Sequence, residues 1–141
     1  ATTGYSKHRR EHVSLVFQDH NLIDYLTPEE NLRLVNPKAD MKILEDLGLS
    51  REESKRNIMH LSGGQRQRVA VGRALVAPGR AILADEPTGS LDPEMTDEVI
   101  DLLRQAAHQL GKCVIVVTHS KRVADSADAV YTLRHKKLAK A

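Results

Sequence analysis

The sequence predicts an α/β fold, a parallel β-sheet covered by helices, on three observations. From Ala81 onward the pattern alternates strand, helix, strand, helix, strand, which points to crossover-connected parallel strands. The runs Ala81–Ala84 and Cys113–Val117 are apolar throughout, as expected of strands buried on both faces. Between them Met95, Val99, Leu102, Leu103, Ala106 and Leu110 follow the 3.6-residue period of a helix that lays one side on a sheet.

Each element has a local cause. Val13–Phe17, rich in branched and aromatic side chains, reads as a strand ending at Gln18, followed by a loop at Asp19–Leu26. Thr27-Pro28-Glu29-Glu30 starts a helix: Thr27 suits the N-cap, Pro28 the first turn, and Glu30 closes a capping box. Asp40–Leu47 is a second helical pattern stopped by Gly48, and Ser50 with Glu53 forms another capping-box pair. A helix runs from the Leu61-Ser62-Gly63-Gly64-Gln65 segment to Val76, where Pro78-Gly79 ends it. Asp92-Pro93 opens the next helix and Gly111 closes it. A short helix at Lys121–Ala127 and a strand at Ala129–Leu133 complete the order. The helical stretch 20–60 reads as an insertion into one domain spanning 1–141, not as a domain of its own.

Bulk properties exclude several functions. Of the 141 residues 40% are hydrophobic and 28% charged, ordinary for one globular domain. Aromatics are 3%, with no Trp, too few for a platform that stacks nucleic-acid bases. The net charge of +2 implies no nucleic-acid or membrane-surface partner. A single cysteine, Cys113, permits no internal disulfide and fits a reducing compartment, and its Val and Ile neighbours make it a packed strand residue. The longest apolar run is Cys113–Val117, against roughly 18 residues needed to cross a bilayer. No signal-peptide pattern opens the chain, so a membrane role is expected through a partner. His8 and His12, spaced as a metal pair, lie beside Lys7, Arg9 and Arg10, which oppose a cation. That basic run reads as solvated surface, and Arg66 and Arg68 as supports of the helix surface.

Ligands of open α/β sheets sit beyond the carboxyl ends of the strands, and there this sequence places Gln18, Asp85-Glu86 and His119. An amide, two carboxylates and an imidazole suit metal-assisted phosphoryl chemistry. One carboxylate holds Mg²⁺ directly or through its waters. The other polarises an attacking water, an effect of about 10²–10⁴-fold for a positioned base. Ser62-Gly63-Gly64 at a helix start offers amides, a hydroxyl and a favourable dipole to an anion.

These residues resemble the nucleotide-binding domain of ABC transporter ATPases. Leu61–Gln65 matches the LSGGQ signature, and Ala81–Glu86 resembles the Walker B strand with its catalytic glutamate. Ser90-Leu91-Asp92 looks like the D-loop, Val117-Thr118-His119 the switch-histidine loop, and Val16-Phe17-Gln18 the Q-loop. All five follow the family order, over nearly the whole chain. The resemblance implies a P-loop NTPase-like sheet, with 61–141 as its signature, Walker B, D-loop and H-loop core. It implies ATP and Mg²⁺ as cofactors, a transmembrane transporter subunit and a second nucleotide-binding domain as partners, and no nucleic acid. The location implied is cytoplasmic, peripheral at the inner face of the cell membrane. By motif, Glu86 is the general base, His119 meets the γ-phosphate, and Asp85 serves Mg²⁺. Gln18 couples Mg²⁺ and water to the membrane subunit, whose coupling helix meets Asp19–Tyr25. Ser62, Gly63, Gly64 and Gln65 close over ATP on the opposite subunit, and Asp92 communicates across the dimer. Asp85–Asp92 and Leu26–Asn31 look most like the lipoprotein-release, macrolide and antimicrobial-peptide exporters.

The sequence departs from the family at its start. Only 17 residues precede Gln18, and no G-x-x-x-x-G-K-[ST] loop occurs among the eight glycines. The adenine-stacking aromatic is also missing, Tyr5 being misplaced for it, and Asn31–Gly48 is short for the usual helical subdomain. The expectation is a sheet lacking its N-terminal part and a chain that neither binds ATP tightly nor hydrolyses it alone. It is read as a truncated piece or as a degenerate subunit that completes a partner's ATP site. A DNA-repair or chromosome-organising ATPase is the remaining alternative. Only 43 residues without heptads separate Gln18 from Ser62, where those proteins insert long coiled coils.

Overall fold

A computed structural model describes Lys7 and residues 12–141. Tyr5, His8 and the His8–His12 spacing fall wholly or partly outside them. Strands β1 (Val13–Val16), β2 (Ala81–Asp85) and β3 (Cys113–Val117) form a parallel sheet in the order β1-β2-β3. Its register aligns Val16 with Ala84 and Ala84 with Val116. The segments that follow, at Gln18, Glu86 and His119, therefore leave the sheet at the same edge.

Side chains alternate across a strand, so each apolar run has two faces. Ser14, Val16, Ile82 and Ala84 are buried on one face, the last three in a cluster with residues of helices α3 (Gly63–Val76) and α4 (Pro93–His108). Val69, Ala70, Val71, Val99, Leu103 and Ala106 supply those helical contributions. Full burial stabilises by about 1.5–3 kcal/mol for each Val, Leu or Ile, so this layer carries much of the fold.

The other face corrects the expectation of strands buried on both sides. Leu83 is 38% exposed, Ile115 52% and Val117 62%. Cys113, expected to be packed, is exposed on the same face. Among the described residues the helices in the core cluster cover one side only, and strand alternation delivers every second apolar residue to the other.

Residues between β1 and α3 form α1 (Pro28–Val35), α2 (Lys42–Asp46) and two 3₁₀ turns, Glu53–Lys55 and Ile58–His60. The capping box at Thr27 is present in both halves, Thr27 N–H to Glu30 and Glu30 N–H to Thr27 Oγ1. The Ser50–Glu53 pair forms too, but it opens a 3₁₀ turn. Leu32, Leu44, Leu47, Leu49 and Ile58 join the same core cluster as the sheet. Gly72 permits this approach, because a Cβ there would stand 2.8 Å from Leu47 Cδ1. No helix among the described residues is long and apolar enough to cross a membrane.

The last part of the chain departs from the parallel pattern. After α5 (Lys121–Asp125), β4 (Tyr131–Arg134) pairs antiparallel with β5 (Lys137–Lys140), in a separate two-stranded sheet. His135 and Lys136 both adopt positive φ, 49° and 61°, the backbone of a tight two-residue hairpin turn. Neither residue is the Gly or Asn that announces such a turn, which is why the sequence hid it.

Asn31 anchors the first helix. It is fully buried, accepts from Ile23 N–H at 2.9 Å and donates to the carbonyls of Ile23 and Thr27 at 3.2 and 3.0 Å. Asn31→Ala leaves buried backbone groups unpaired, and urea unfolding should show a loss of about 1–3 kcal/mol.

Candidate active site

Glu86 ends the central strand in a left-handed conformation, φ 46°, unusual for a side-chain-bearing residue. Such a backbone costs on the order of 1–3 kcal/mol and persists only when neighbours enforce it. Its N–H donates to Val117 O at 2.9 Å, and its carbonyl accepts from Gly89 N–H at 3.1 Å and from Gln67 Nε2 at 2.7 Å. The carboxylate accepts from the Thr118 hydroxyl at 3.1 Å and from His119 N–H at 2.8 Å. The His119 imidazole stands fully exposed, its Nε2 4.0 Å from the Glu86 carboxylate. Glu86 and His119 thus meet at one rim as expected.

Asp85 pairs with Val117 in the register and lies exposed, its side chain making no hydrogen bond or ion pair among the described residues. Gln18, also exposed, leaves β1 at this edge, and no side-chain bond ties it to the other three. Among the described residues no three His, Cys, Asp or Glu side chains converge as a metal cage. One free carboxylate and one amide suit Mg²⁺, which keeps its waters and arrives bound to phosphates.

Beyond Gln18 the chain turns through His20 and Asn21 at φ 65° and 47°. Arg73 of α3 holds this turn, donating to Asn21 O at 2.8 Å and to His20 O at 3.4 Å. Burial lowers the pKa of Arg73.

Helix α3 begins at Ser62, whose Oγ accepts from Gln65 N–H at 3.1 Å while Ser62 N–H donates to Gln65 Oε1 at 2.8 Å. Gln65 Nε2 also donates to Glu53 at 2.6 Å. Gln65 is therefore engaged within the chain, whereas the Ser62 hydroxyl keeps its proton for another acceptor. The Ser50 N–H, then the Ser50 hydroxyl, Gln65 and the Arg56 charge, hold Glu53 below the usual carboxylate range against its partial burial. A Cβ on Gly63 would meet nothing within 4 Å among the described residues, so no packing among them requires that glycine. At Gly64 a Cβ would lie 3.1 Å from Ser90 O. Asp92 caps α4, accepting from Met95 N–H at 2.9 Å. Arg66 and Arg68 support the helix as expected, on Leu61 O and Leu47 O.

Sequence reasoning assigned no role to Thr118 or Gln67. Gln67 left a signal, since it falls three and four residues before the buried Ala70 and Val71, on the apolar side of α3. A polar residue there must find buried partners.

His20 yields a pH prediction. Its Nδ1 is enclosed without a hydrogen-bond partner, and burial, then the Arg66 charge, lowers its pKa against the pull of Asp19. A base with a depressed folded-state pKa contributes stability that is complete above its unfolded value, 6.5 here, and lost as pH falls through the folded value. Urea midpoints should therefore drop on acidification below pH 6.5, and in His20→Asn, which tolerates positive φ, that component should vanish.

A family model described as ABC transporter matches residues 2–89. The chain is 36% identical over 135 residues to the uncharacterized ABC transporter ATP-binding protein YclH of Bacillus subtilis, covering 89% of the chain and 60% of that protein. It is 41% identical over 138 residues to the lipoprotein-releasing system ATP-binding protein LolD of Rickettsia prowazekii, covering 90% and 62%. It is 42% identical over 136 residues to the macrolide export ATP-binding/permease protein MacB of Brucella melitensis, covering 89% and 21%. The chain thus spans 60–62% of the YclH and LolD lengths. Among solved structures, the dimeric bacterial ABC transporter cassette MJ0796 superposes with a TM-score of 0.84 at 34% identity, over 93% of this chain and 62% of that one. Its post-hydrolysis dimer bound to ADP and Pi gives 0.87 at 31%, over 99% and 67%. On the family match, these relatives and the shared fold, the chain belongs to the ABC transporter ATP-binding family, with the lipoprotein-release and macrolide-export ATPases among its relatives.

Proposed function

We propose that the chain is the ATP-binding and ATP-hydrolysing part of an exporter, working in a dimer of such domains at the inner face of a cell membrane. A membrane-spanning partner subunit would carry the substrate. The supporting observation is the aim of Glu86, whose carboxylate rests on the Thr118 hydroxyl and the His119 amide with the exposed imidazole beside it. A carboxylate fixed at the carboxyl edge of the sheet can take a proton from a water that attacks phosphorus. His119, free to turn, can donate to a terminal phosphate oxygen.

In this reading Asp85 and Gln18 meet Mg²⁺, directly or through its waters, and Gln18 also relays the state of the site to the membrane partner. Bound Mg²⁺ supplies charge neutralisation on the phosphates. Ser62, Gly63, Gly64 and Gln65 close over ATP held by the opposite domain. The unexplained openness of Gly63 and the free Ser62 proton support that role. Asp92 transmits across the interface. Residues 20–60 form the helical insertion, Asp19–Tyr25 meets the coupling helix of the membrane partner, and 61–141 carry the signature, Walker B, D-loop and H-loop core. LolD and MacB, named for lipoprotein release and macrolide export, favour export over import.

The 141 residues contain a base and a signature helix but no G-x-x-x-x-G-K-[ST] loop. By themselves they should release no phosphate from ATP above background in a colorimetric assay, and measurable turnover by the purified chain would remove that part of the reading. In an assembly that does hydrolyse ATP, Glu86→Gln should lower kcat by about 10²–10⁴-fold with little change in KM for ATP. An unchanged kcat would remove Glu86 as the base.

A further inference from the structure

We propose that Gln67 is a positioning residue for Glu86, a single side chain through which the helix starting at Ser62 sets the aim of the carboxylate. The inference rests on the reading of Glu86 as general base. Gln67 is 1% exposed, and both ends of its carboxamide are used. Its Nε2 donates to Glu86 O at 2.7 Å, and its Oε1 accepts from Ser90 N–H at 2.8 Å. The two bonds staple both sides of the Glu86–Ser90 turn to α3.

Three features make this more than the satisfaction of a buried amide. Glu86 holds a positive φ that its own chemistry disfavours, so the direction of its side chain depends on what grips its backbone. Gln67 grips that backbone at the carbonyl, while β3 grips it at the N–H through Val117. The second contact between α3 and the turn is Gly64 against Ser90, one helical turn before Gln67 on the same face. The first turn of α3, with Ser62 and Gly63 open to a ligand, and the turn bearing Glu86 are therefore joined at two points. A shift of α3 toward an anion at its N-terminus would reach the carboxylate through Gln67. The other buried positions of α3 are Val, Ala, Gly and Leu, which leaves Gln67 as the polar side chain among them.

The reporter is the His119 amide, which donates to Glu86 and makes no contact with Gln67 of its own in the hydrogen-bond network. Amide hydrogen exchange of the ¹⁵N-labelled chain is followed by NMR for wild type, Glu86→Ala, Gln67→Met and Gln67→Asn. Glu86→Ala removes the acceptor and defines the unprotected His119 rate. Gln67→Met, similar in length and without a donor, should bring His119 more than halfway to that rate on a logarithmic scale. The interior α3 amides of Val69 and Val71 should keep wild-type protection. If Gln67→Met lowers protection throughout α3, Gln67→Asn decides. Shorter by one methylene, it keeps a buried amide but withdraws the donor from Glu86, and the same selective acceleration at His119 is expected. A wild-type His119 rate in the folded Gln67 variant overturns the inference alone. A wild-type His119 rate in Glu86→Ala overturns it together with the carboxylate geometry on which the reading of the base rests.

Discussion

The site depends on one constrained turn. Glu86 sits where the central strand ends, in a backbone conformation that a residue with a Cβ avoids. Val117 O, Gly89 N–H and Gln67 hold its main chain, and Thr118 and His119 hold its carboxylate. The bonds come from three directions: the neighbouring strand, the turn itself and the helix behind the sheet. A carboxylate so held is oriented in advance, and a group already oriented loses less entropy when it engages a ligand. The His119 ring stands exposed on the same rim.

Placing that turn requires the layer beneath it. β2 is central, paired on both sides, and Ile82 and Ala84 anchor it against α3 and α4 in the shared apolar cluster. The helices between β1 and α3 bury Leu32, Leu44 and Leu47 in that cluster too, so the segment bearing Gln18 is mechanically joined to the signature helix. Arg73 adds a polar tie, from α3 to the carbonyls of the turn after Gln18. Lys112 does similar work at the opposite end of the sheet, donating to Ala77 O at 2.6 Å and Gly79 O at 2.9 Å, with burial lowering its pKa.

Much of this was legible because its causes are local. The boxes at Thr27–Glu30 and Ser50–Glu53, the Asp92 cap and the glycine stop after α4 involve residues three or four apart, and each formed. The meeting of Glu86 with His119 was also legible, since parallel strands of similar length end at one edge and the polar residue at each end reports it. Errors arose where the outcome depends on distant surfaces. The apolar strands read as buried on both faces, but an apolar run records only the composition of the two faces, not what lies against each. Ile115, Val117 and Cys113 occupy the uncovered one.

The sequence by itself determined the α/β class, the order of the three parallel strands and the main helices between them, the capped helix starts and which polar residues stand at the sheet edge. Those follow from periodicity, capping chemistry and chain direction, all short-range. Only the tertiary structure decided that β4 turns back on β5 instead of joining the parallel sheet, because edge pairing is a competition between remote strands. It alone revealed the left-handed Glu86 and the Gln67 amide that spans from helix to turn. Gln67 and Glu86 stand 19 positions apart along the chain, and no local preference records a bond across that distance.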